Sequence, residues 1–290
     1  MAGNSVGFDL PLAEVNRVVA QALAEDLPWG DLTSDHLIPA DQRGVGRIEG
    51  RQPGVLAGLA VARAVFAQVD PSLEFAEYCA DGEQLRAGQT IATVAGSLRS
   101  LLQGERVALN FLQRLSGIAT ATNRYVTAIA GTRSRIVDTR KTTPGLRLLE
   151  KYAVRVGGGH NHRYCLSDAV LIKDNHLAAL RVRGVDLAAA VRGLRGQIPH
   201  TATIEVEVES LDEARAALTA GVDTILLDNM PPALMAEAVA LIAGQALTEA
   251  SGGITLETVR AVAETGVDLI SVGALTHSVR ALDLALEIEV

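Results

Sequence analysis

The sequence predicts an α/β protein: an incomplete or open parallel barrel, preceded by a separate α+β domain. Three observations predict it. Past residue 130, short β-branched runs that end on polar or glycine residues alternate with helical segments, which is the pattern of βα units. Gly221, Gly244 and Gly266 stand where a left-handed residue would stop three of those helices. Polar residues gather at the carboxyl ends of the runs, the end at which parallel barrels build their sites. The repeating part covers about 160 residues against the roughly 250 of a complete eight-stranded barrel, so closure is not expected.

In chain order, a helix is expected at Leu12–Ala24, followed by short Pro/Gly-punctuated strands at Gly46–Gly50, Gly54–Leu56, Leu73–Tyr78 and Thr90–Val94. The helix Ser100–Leu115 carries Leu101, Ala108, Leu112 and Leu115 on one stripe. Gln103, Arg106, Asn110 and Gln113 form a second, polar stripe, which is either solvent-facing or an interface. Barrel strands are expected at Arg135–Asp138, Ala169–Lys173, Thr203–Val208, Thr224–Asp228, Ala246–Glu249 and Asp268–Val272. Their helices are Gly145–Val156, Asp186–Leu194, Ser210–Ala220, Ala233–Ala243 and Thr255–Thr265, with a last one from near Thr276. The expected division is therefore 1–115, 116–275, and a C-terminal helix over 276–290 that returns toward the N-terminal domain.

With 290 residues, 48% of them apolar, the chain can bury a large core. A formal charge of −8 and nine aromatic residues argue against a nucleic-acid binder, which needs a basic surface and stacking platforms. No apolar run approaches the roughly 18 residues of a membrane span, and no h-region opens the chain, so the expected location is cytoplasmic. Cys79 and Cys165 are too few and too far apart for a disulfide framework or a paired-thiolate metal site, and both read as reduced thiols.

Charge placement is more informative than charge total. Residues 133–163 hold Arg133, Arg135, Arg140, Lys141, Arg147, Lys151, Arg155 and Arg163 against only Asp138 and Glu150. Arg147, Lys151 and Arg155 recur every four residues, a spacing that also suits a solvated basic helix face. Arg140 and Lys141 follow a strand instead. Lysine occurs only at 141, 151 and 173 in a chain that otherwise uses arginine, which points to a chosen point charge.

The run Ile204-Glu205-Val206-Glu207-Val208-Glu209 puts three carboxylates on one face. On a parallel barrel strand the other face packs on helices, so the glutamates point inward and need cations. Lys141, Lys173 or a metal can supply them, and a buried Lys–Glu network is the structural alternative. Asp228 closes the next strand, and an oxygen-only donor set suits Mg²⁺ when a phosphate completes it. Ser251-Gly252-Gly253 and Gly273-Ala274-Leu275-Thr276-His277 end the last two strands where barrels hold phosphate. His160-Asn161-His162 has a spacing that zinc could use, but with Arg163 adjacent and no thiolate nearby it reads as anion recognition.

These strings resemble one family, the quinolinate phosphoribosyltransferases. The resemblance rests on DTRKTTPGLRLLEKYAVRVGGG from Asp138, NHR from Asn161, LIKDNH from Leu171, IEVEVES from Ile204, LLDN from Leu226, EASGG from Glu249 and VGALTHS from Val272. In the first half it rests on EDLPWGDLTS from Glu25 and QGERVALNFLQRLSGIAT from Gln103. The resemblance implies an N-terminal α/β sandwich with an open α/β barrel, in a homodimer with active sites at the subunit interface. It implies Mg²⁺-dependent transfer from 5-phosphoribosyl 1-diphosphate to quinolinate, giving nicotinate mononucleotide, diphosphate and CO₂ for NAD biosynthesis. It places Arg106, Arg140, His162, Arg163 and Lys173 around the pyridine dicarboxylate. It places Thr139, Lys141, Ser251, Gly252, Gly253, Val272, Gly273, Ala274 and His277 at the phosphoribosyl diphosphate, with Glu205 and Asp228 at its metal. Lys141, Lys173, Glu205 and Asp228 are the expected catalytic set. Two other readings use the same residues: a Schiff-base aldolase or sugar-phosphate lyase with Lys173 as nucleophile, and a non-catalytic anion-binding relative.

Overall fold

The protein's structure, a computed structural model, describes residues 10–290; the first nine residues of the expected N-terminal domain lie outside it. In chain order the elements are α1 (Leu12–Asp26), α2 (Leu32–Leu37), β1 (Arg43–Gly50), β2 (Gly54–Val55), α3 (Leu59–Val69), β3 (Glu74–Glu77), β4 (Gln84–Leu85), β5 (Thr90–Ser97) and α4 (Leu98–Ala128). They continue with β6 (Arg135–Val137), α5 (Arg147–Val156), β7 (Val170–Ile172), α6 (Asp174–Val182), α7 (Leu187–Arg195), β8 (Ile204–Val208), α8 (Leu211–Ala220) and β9 (Thr224–Asp228). The last are α9 (Pro232–Ile242), β10 (Leu247–Ser251), α10 (Val259–Glu264), β11 (Leu269–Ser271), α11 (Ala274–His277) and β12 (Leu284–Glu289).

One unit comprises the described residues up to Asn123 with Thr142–Gly158 and Leu275–Val290. Its antiparallel sheet has the order β12-β1-β5-β3. On β1, Gly46, Ile48 and Gly50 are buried while Arg47 faces out to pair with Glu49 and Glu289, the period-two alternation of a half-covered strand. Phe66 of α3 packs on Phe75 of β3, and Gly104 brings α4 so close that a Cβ there would overlap the Phe66 ring. Asp81 caps α3, accepting from Gly58 N at 2.8 Å and Leu59 N at 3.2 Å, and accepts the Tyr152 hydroxyl at 2.6 Å.

The C-terminal helix expected over 276–290 does not form. One helical turn, α11, is followed by the strand β12, which pairs antiparallel with β1. The reason is legible: Leu284, Leu286 and Ile288 alternate with Ala285, Glu287 and Glu289, a period of two that a helix would scatter around its circumference. The helix expected to end at Leu115 also differs, since α4 runs on to Ala128. Gly117 does not break it; a Cβ there would overlap the Arg280 carbonyl, so the glycine permits close passage of the chain. Nor is α5 a solvated basic face, because Lys151 is buried and Arg147 donates to Thr142 Oγ1 at 3.0 Å.

The other unit, Arg124–Lys141 with Gly159–Ala274, is built on a parallel sheet in the order β6-β11-β10-β9-β8-β7. No pairing joins β6 to β7 among the described residues, so the barrel is open. Beside β6 the chain at His160 adds a parallel bridge to Val137, with Asp138 N donating to His160 O at 3.1 Å. Helices start on side-chain caps where the sequence provides them, Asp186 for α7 and Ser210 for α8, and α8 ends on left-handed Gly221. No helix among the described residues is long and apolar enough to cross a membrane.

Within the first unit, Arg114 of α4 organises two loops. Its Nη2 donates to Glu150 Oε1 at 2.7 Å and to the Thr276 carbonyl at 2.6 Å, while Glu150, fully buried, also accepts from Thr143 N at 3.1 Å. Removing the cation leaves a buried carboxylate without its counter-charge, which typically costs about 3–5 kcal/mol. Arg114→Ala should therefore lower the thermal midpoint by at least about 5 °C, checked by scanning calorimetry against wild type.

Candidate active site

Alternation on β8 buries Ile204, Val206 and Val208 on the helix side, and puts Glu205 and Glu207 on the opposite face. The two glutamates do different things. Glu207 lies one step from the carboxyl end and pairs with Lys173, Nζ to Oε2 at 2.8 Å, across the β7–β8 edge. Glu205 lies deeper, 7% exposed, and meets His162.

Three ionisable side chains converge there: His162, Glu205 and Glu249, with ligand atoms all within 4.8 Å of one another. Arg163 N donates to His162 Nδ1 at 2.7 Å, so the ring proton sits on Nε2 and is donated to Glu205 Oε2 at 3.0 Å. Glu249 Oε1 lies 3.6 Å from the same Nε2. Burial, and then repulsion from Glu205, push the Glu249 carboxyl up to about 8, while His162 and Ser271 oppose the shift. Glu205 Oε1 and Glu249 Oε1 are buried without a hydrogen-bond partner.

The segment carrying His162 is pinned from its other side by buried Asp138, which accepts from His162 N at 2.9 Å and Asn161 Nδ2 at 2.6 Å. Arg163 follows, its Nη1 donating to the Ala169 carbonyl at 2.8 Å. Burial, and then the charge of Arg140 beside it, lower the Arg163 pKa, and buried Arg140 Nε has no partner. The charges of Glu205 and Asp168 oppose that shift, so Arg163 feels both signs of charge, while the Arg140 donor is unfilled.

The phosphate-loop residues lie at the carboxyl ends of β9, β10 and β11. Asn229, held at φ 52°, donates Nδ2 to Asp228 Oδ2 at 2.7 Å and its backbone N to the Ser251 carbonyl at 2.9 Å. Gly252 (φ 94°) sits so close that a Cβ would overlap the Asn229 side chain, so this loop requires glycine on two counts. Neither loop opens directly onto a long helix: α10 begins only at Val259, and α11 is one turn. Thr139 accepts from Lys141 N at 3.1 Å, which shapes the turn after β6.

The structure does not bring Glu205 and Asp228 together as expected. Glu205 is opposite Thr224 in the β8–β9 register, and Asp228 is four residues further along β9, about 13 Å at the rise of a strand. The side chain of Glu205 is turned instead into the His162 cluster. Glu207, opposite Leu226, is the carboxylate nearer to Asp228. Arg106 and His277 belong to the first unit, where both are exposed; among the described residues Arg106 reaches only Glu105, at 3.5 Å. The polar stripe on α4 is partly satisfied there, since Gln103 donates to Asp35 and Gln113 to the Leu284 carbonyl. Glu249 was not singled out from sequence. Its signal was the one that singled out Glu205, an acidic residue inside a buried parallel strand.

Fold and site together define an α/β-barrel enzyme that acts on anionic substrates. Residues 118–287 match the C-terminal domain and residues 31–116 the N-terminal domain of quinolinate phosphoribosyl transferase. The chain is 42% identical over 275 residues to the probable nicotinate-nucleotide pyrophosphorylase [carboxylating] of Bacillus subtilis, covering 95% of this chain and 93% of that protein. It is 47% identical over 271 residues to a probable enzyme of the same name from Synechocystis, covering 92% and 90%. The solved nicotinate-nucleotide pyrophosphorylase of Francisella tularensis superposes with a TM-score of 0.92 at 38% identity, over 97% of this chain and 98% of that one. The chain belongs to the quinolinate phosphoribosyltransferase family.

Glu249 makes stability depend on pH with a definite sign. Its carboxyl titrates near 4.5 when unperturbed and at about 8 in the fold, so between these values the folded state keeps a proton that the unfolded chain has lost. This contribution is present in full below that window and is lost as the pH rises through it. Glu249→Gln cannot ionise, and its thermal midpoint should gain several degrees on wild type between pH 5 and pH 8; parallel curves would exclude a raised carboxyl.

Proposed function

We propose that the carboxyl-end rim of the barrel binds quinolinate against Arg140 and Arg163, with Lys173 beside them, and 5-phosphoribosyl 1-diphosphate along the adjoining loops. The observation that carries this reading is the buried Arg140 Nε with no partner, in a side chain whose charge acts on Arg163. Quinolinate is a planar dicarboxylate, and arginine grips carboxylates through two parallel hydrogen bonds. Thr139, Lys141, Ser251, Gly252, Gly253, Val272, Gly273, Ala274 and His277 are read as the phosphoribosyl diphosphate set.

The reaction is decarboxylating phosphoribosyl transfer, the activity of this family, in the formation of nicotinate mononucleotide for NAD. The pyridine nitrogen attacks the anomeric carbon as its bond to diphosphate breaks, and the sugar passes through an oxocarbenium-like state. Loop N–H groups and Lys141 hold the departing diphosphate. Once ribosylated, the ring nitrogen is positive, and breaking the C2–carboxylate bond leaves its electron pair on C2 beside that charge. C2 then takes a proton and CO₂ leaves. The arginines orient the substrate and exclude water from the carboxylates.

Mg²⁺ fits the donor set as the metal of this site. Asp228 and Glu207 offer only oxygen, face the same side, and are two residues apart in register, about 7 Å along the strands. When bound, the ion would neutralise charge on the diphosphate, whose own oxygens would complete its coordination. Glu205 is left out of this set.

A homodimer completes the reading. Trp29, Leu32 and Leu37 are 93%, 80% and 74% exposed, an apolar surface beside the α4 stripe through the Gln103–Asp35 bond. On this reading a second copy covers that surface, and Arg106 serves the partner's site. A cytoplasmic location goes with this assignment. The lyase alternative needs Lys173 as a free, desolvated amine, whereas Lys173 is half-exposed and ion-paired.

Quinolinate-dependent release of CO₂ and diphosphate in equal amounts tests the activity directly, and its absence would favour the anion-binding alternative. Asp228→Asn should weaken phosphoribosyl diphosphate binding and the metal requirement at least tenfold, while quinolinate binding in its absence stays within about threefold. Lys173→Arg should retain measurable turnover, and borohydride should trap no adduct at Lys173. Arg106→Ala and Lys173→Ala should each abolish activity in a homodimer. Mixed after dissociation, half of the dimers combine both variants and carry one intact site of two, so about a quarter of wild-type activity should return. No return, with the mixed dimer verified by mass spectrometry, would place Arg106 outside the partner's site.

A further inference from the structure

Both nitrogens of His162 are engaged inside the protein, Nδ1 by the Arg163 N–H and Nε2 by Glu205. The ring therefore has no nitrogen left for a substrate carboxylate. What it does is tie the backbone at Arg163 to the barrel interior. Behind it stands Glu249, 2% exposed, flanked in register by Leu226 and Leu269. The charged and titratable groups facing Glu249 are Glu205 from β8 and His162, with the Ser271 hydroxyl from β11.

Two buried carboxylates side by side, each with an orphaned oxygen, are satisfied together if one is an acid that donates to the other. We propose that Glu249 is a positioning residue for quinolinate recognition: as a carboxylic acid it donates to Glu205, which thereby holds the His162 ring and fixes the segment that presents Arg163. This rests on the reading that Arg140 and Arg163 seat the dicarboxylate. Asp138 holds the same segment through His162 N and the Asn161 side chain, so only the grip on the ring runs through Glu249. The raised carboxyl of Glu249 agrees with this arrangement.

The roles separate with two substitutions at one position. Glu249→Gln keeps a donor toward Glu205, whereas Glu249→Met keeps a similar length and offers none. Glu249→Gln should keep the quinolinate dissociation constant within about threefold of wild type. Glu249→Met should raise it at least tenfold, measured by calorimetric titration, with kcat at saturating substrates within about threefold. Nitrogen-15 NMR of the histidine rings should show His162 protonated on Nε2 alone in wild type and Glu249→Gln. That signature should be lost in Glu249→Met. A doubly protonated His162 in wild type at pH 7 would overturn the proposal even if Glu249→Met failed to fold. So would Glu249→Gln as impaired as Glu249→Met, or a stoichiometric divalent metal that Glu249→Gln loses. Arg163→Ala serves as the control. Weakened quinolinate binding there with none in Glu249→Met overturns the positioning role alone. No loss in either overturns the substrate reading beneath it.

Discussion

Alternation on a strand buried on both faces is the constraint from which the site follows. Once β8 turns its valines to the helices, Glu205 and Glu207 face the barrel interior, where an unpaired carboxylate is costly. Each is relieved differently because each stands at a different depth. Near the mouth, Glu207 meets a half-exposed ammonium from the neighbouring strand. Two residues deeper, Glu205 is met by a histidine ring and a second acid. One strand thus separates a half-exposed, charged rim from a buried floor.

Burial, and then the charge of Arg140, disfavour the charged form of Arg163, while Glu205 and Asp168 favour it. The position of Arg163 is set by Asp138 on the backbone of the segment, the Ala169 carbonyl on its guanidinium, and the neighbouring His162 held by Glu205. On the proposed reading, a planar dianion bound there adds its negative charge to that of Glu205 and Asp168.

Much of this was legible in the sequence, and the failures have physical causes. All six parallel strands were visible, because β-branched runs closed by polar residues have no competing reading at that spacing. The inward glutamates were visible from period two alone. The shared rim of Glu205 and Asp228 was not, because register between neighbouring strands is fixed by hydrogen bonding and by crossover length, neither of which is written at either residue. The two helices α6 and α7 that lie between β7 and β8 illustrate the problem; only the second was expected. The last strand was misread because the βα rhythm was extended past its end, although Leu284, Leu286 and Ile288 already showed the period of a strand. Lys151 was ambiguous for a different reason: a basic face at spacing four looks the same whether water or protein covers it.

Burial of charge also organises two loops of the first unit. Arg114 and Glu150 lie in different stretches of chain; both reach Thr143, and Arg114 also reaches the Thr276 carbonyl. Neither Thr143 nor Thr276 needs to meet substrate for this to matter. A loop that offers backbone N–H groups to a diphosphate works only if its peptide planes are already turned, since the energy of turning them would otherwise be drawn from binding. A buried ion pair is a weak source of stability relative to an apolar replacement of the same size. Its use here is understandable as orientation: a guanidinium and a carboxylate fix direction as well as distance, which an apolar contact between α4 and α5 could not do for two loops at once.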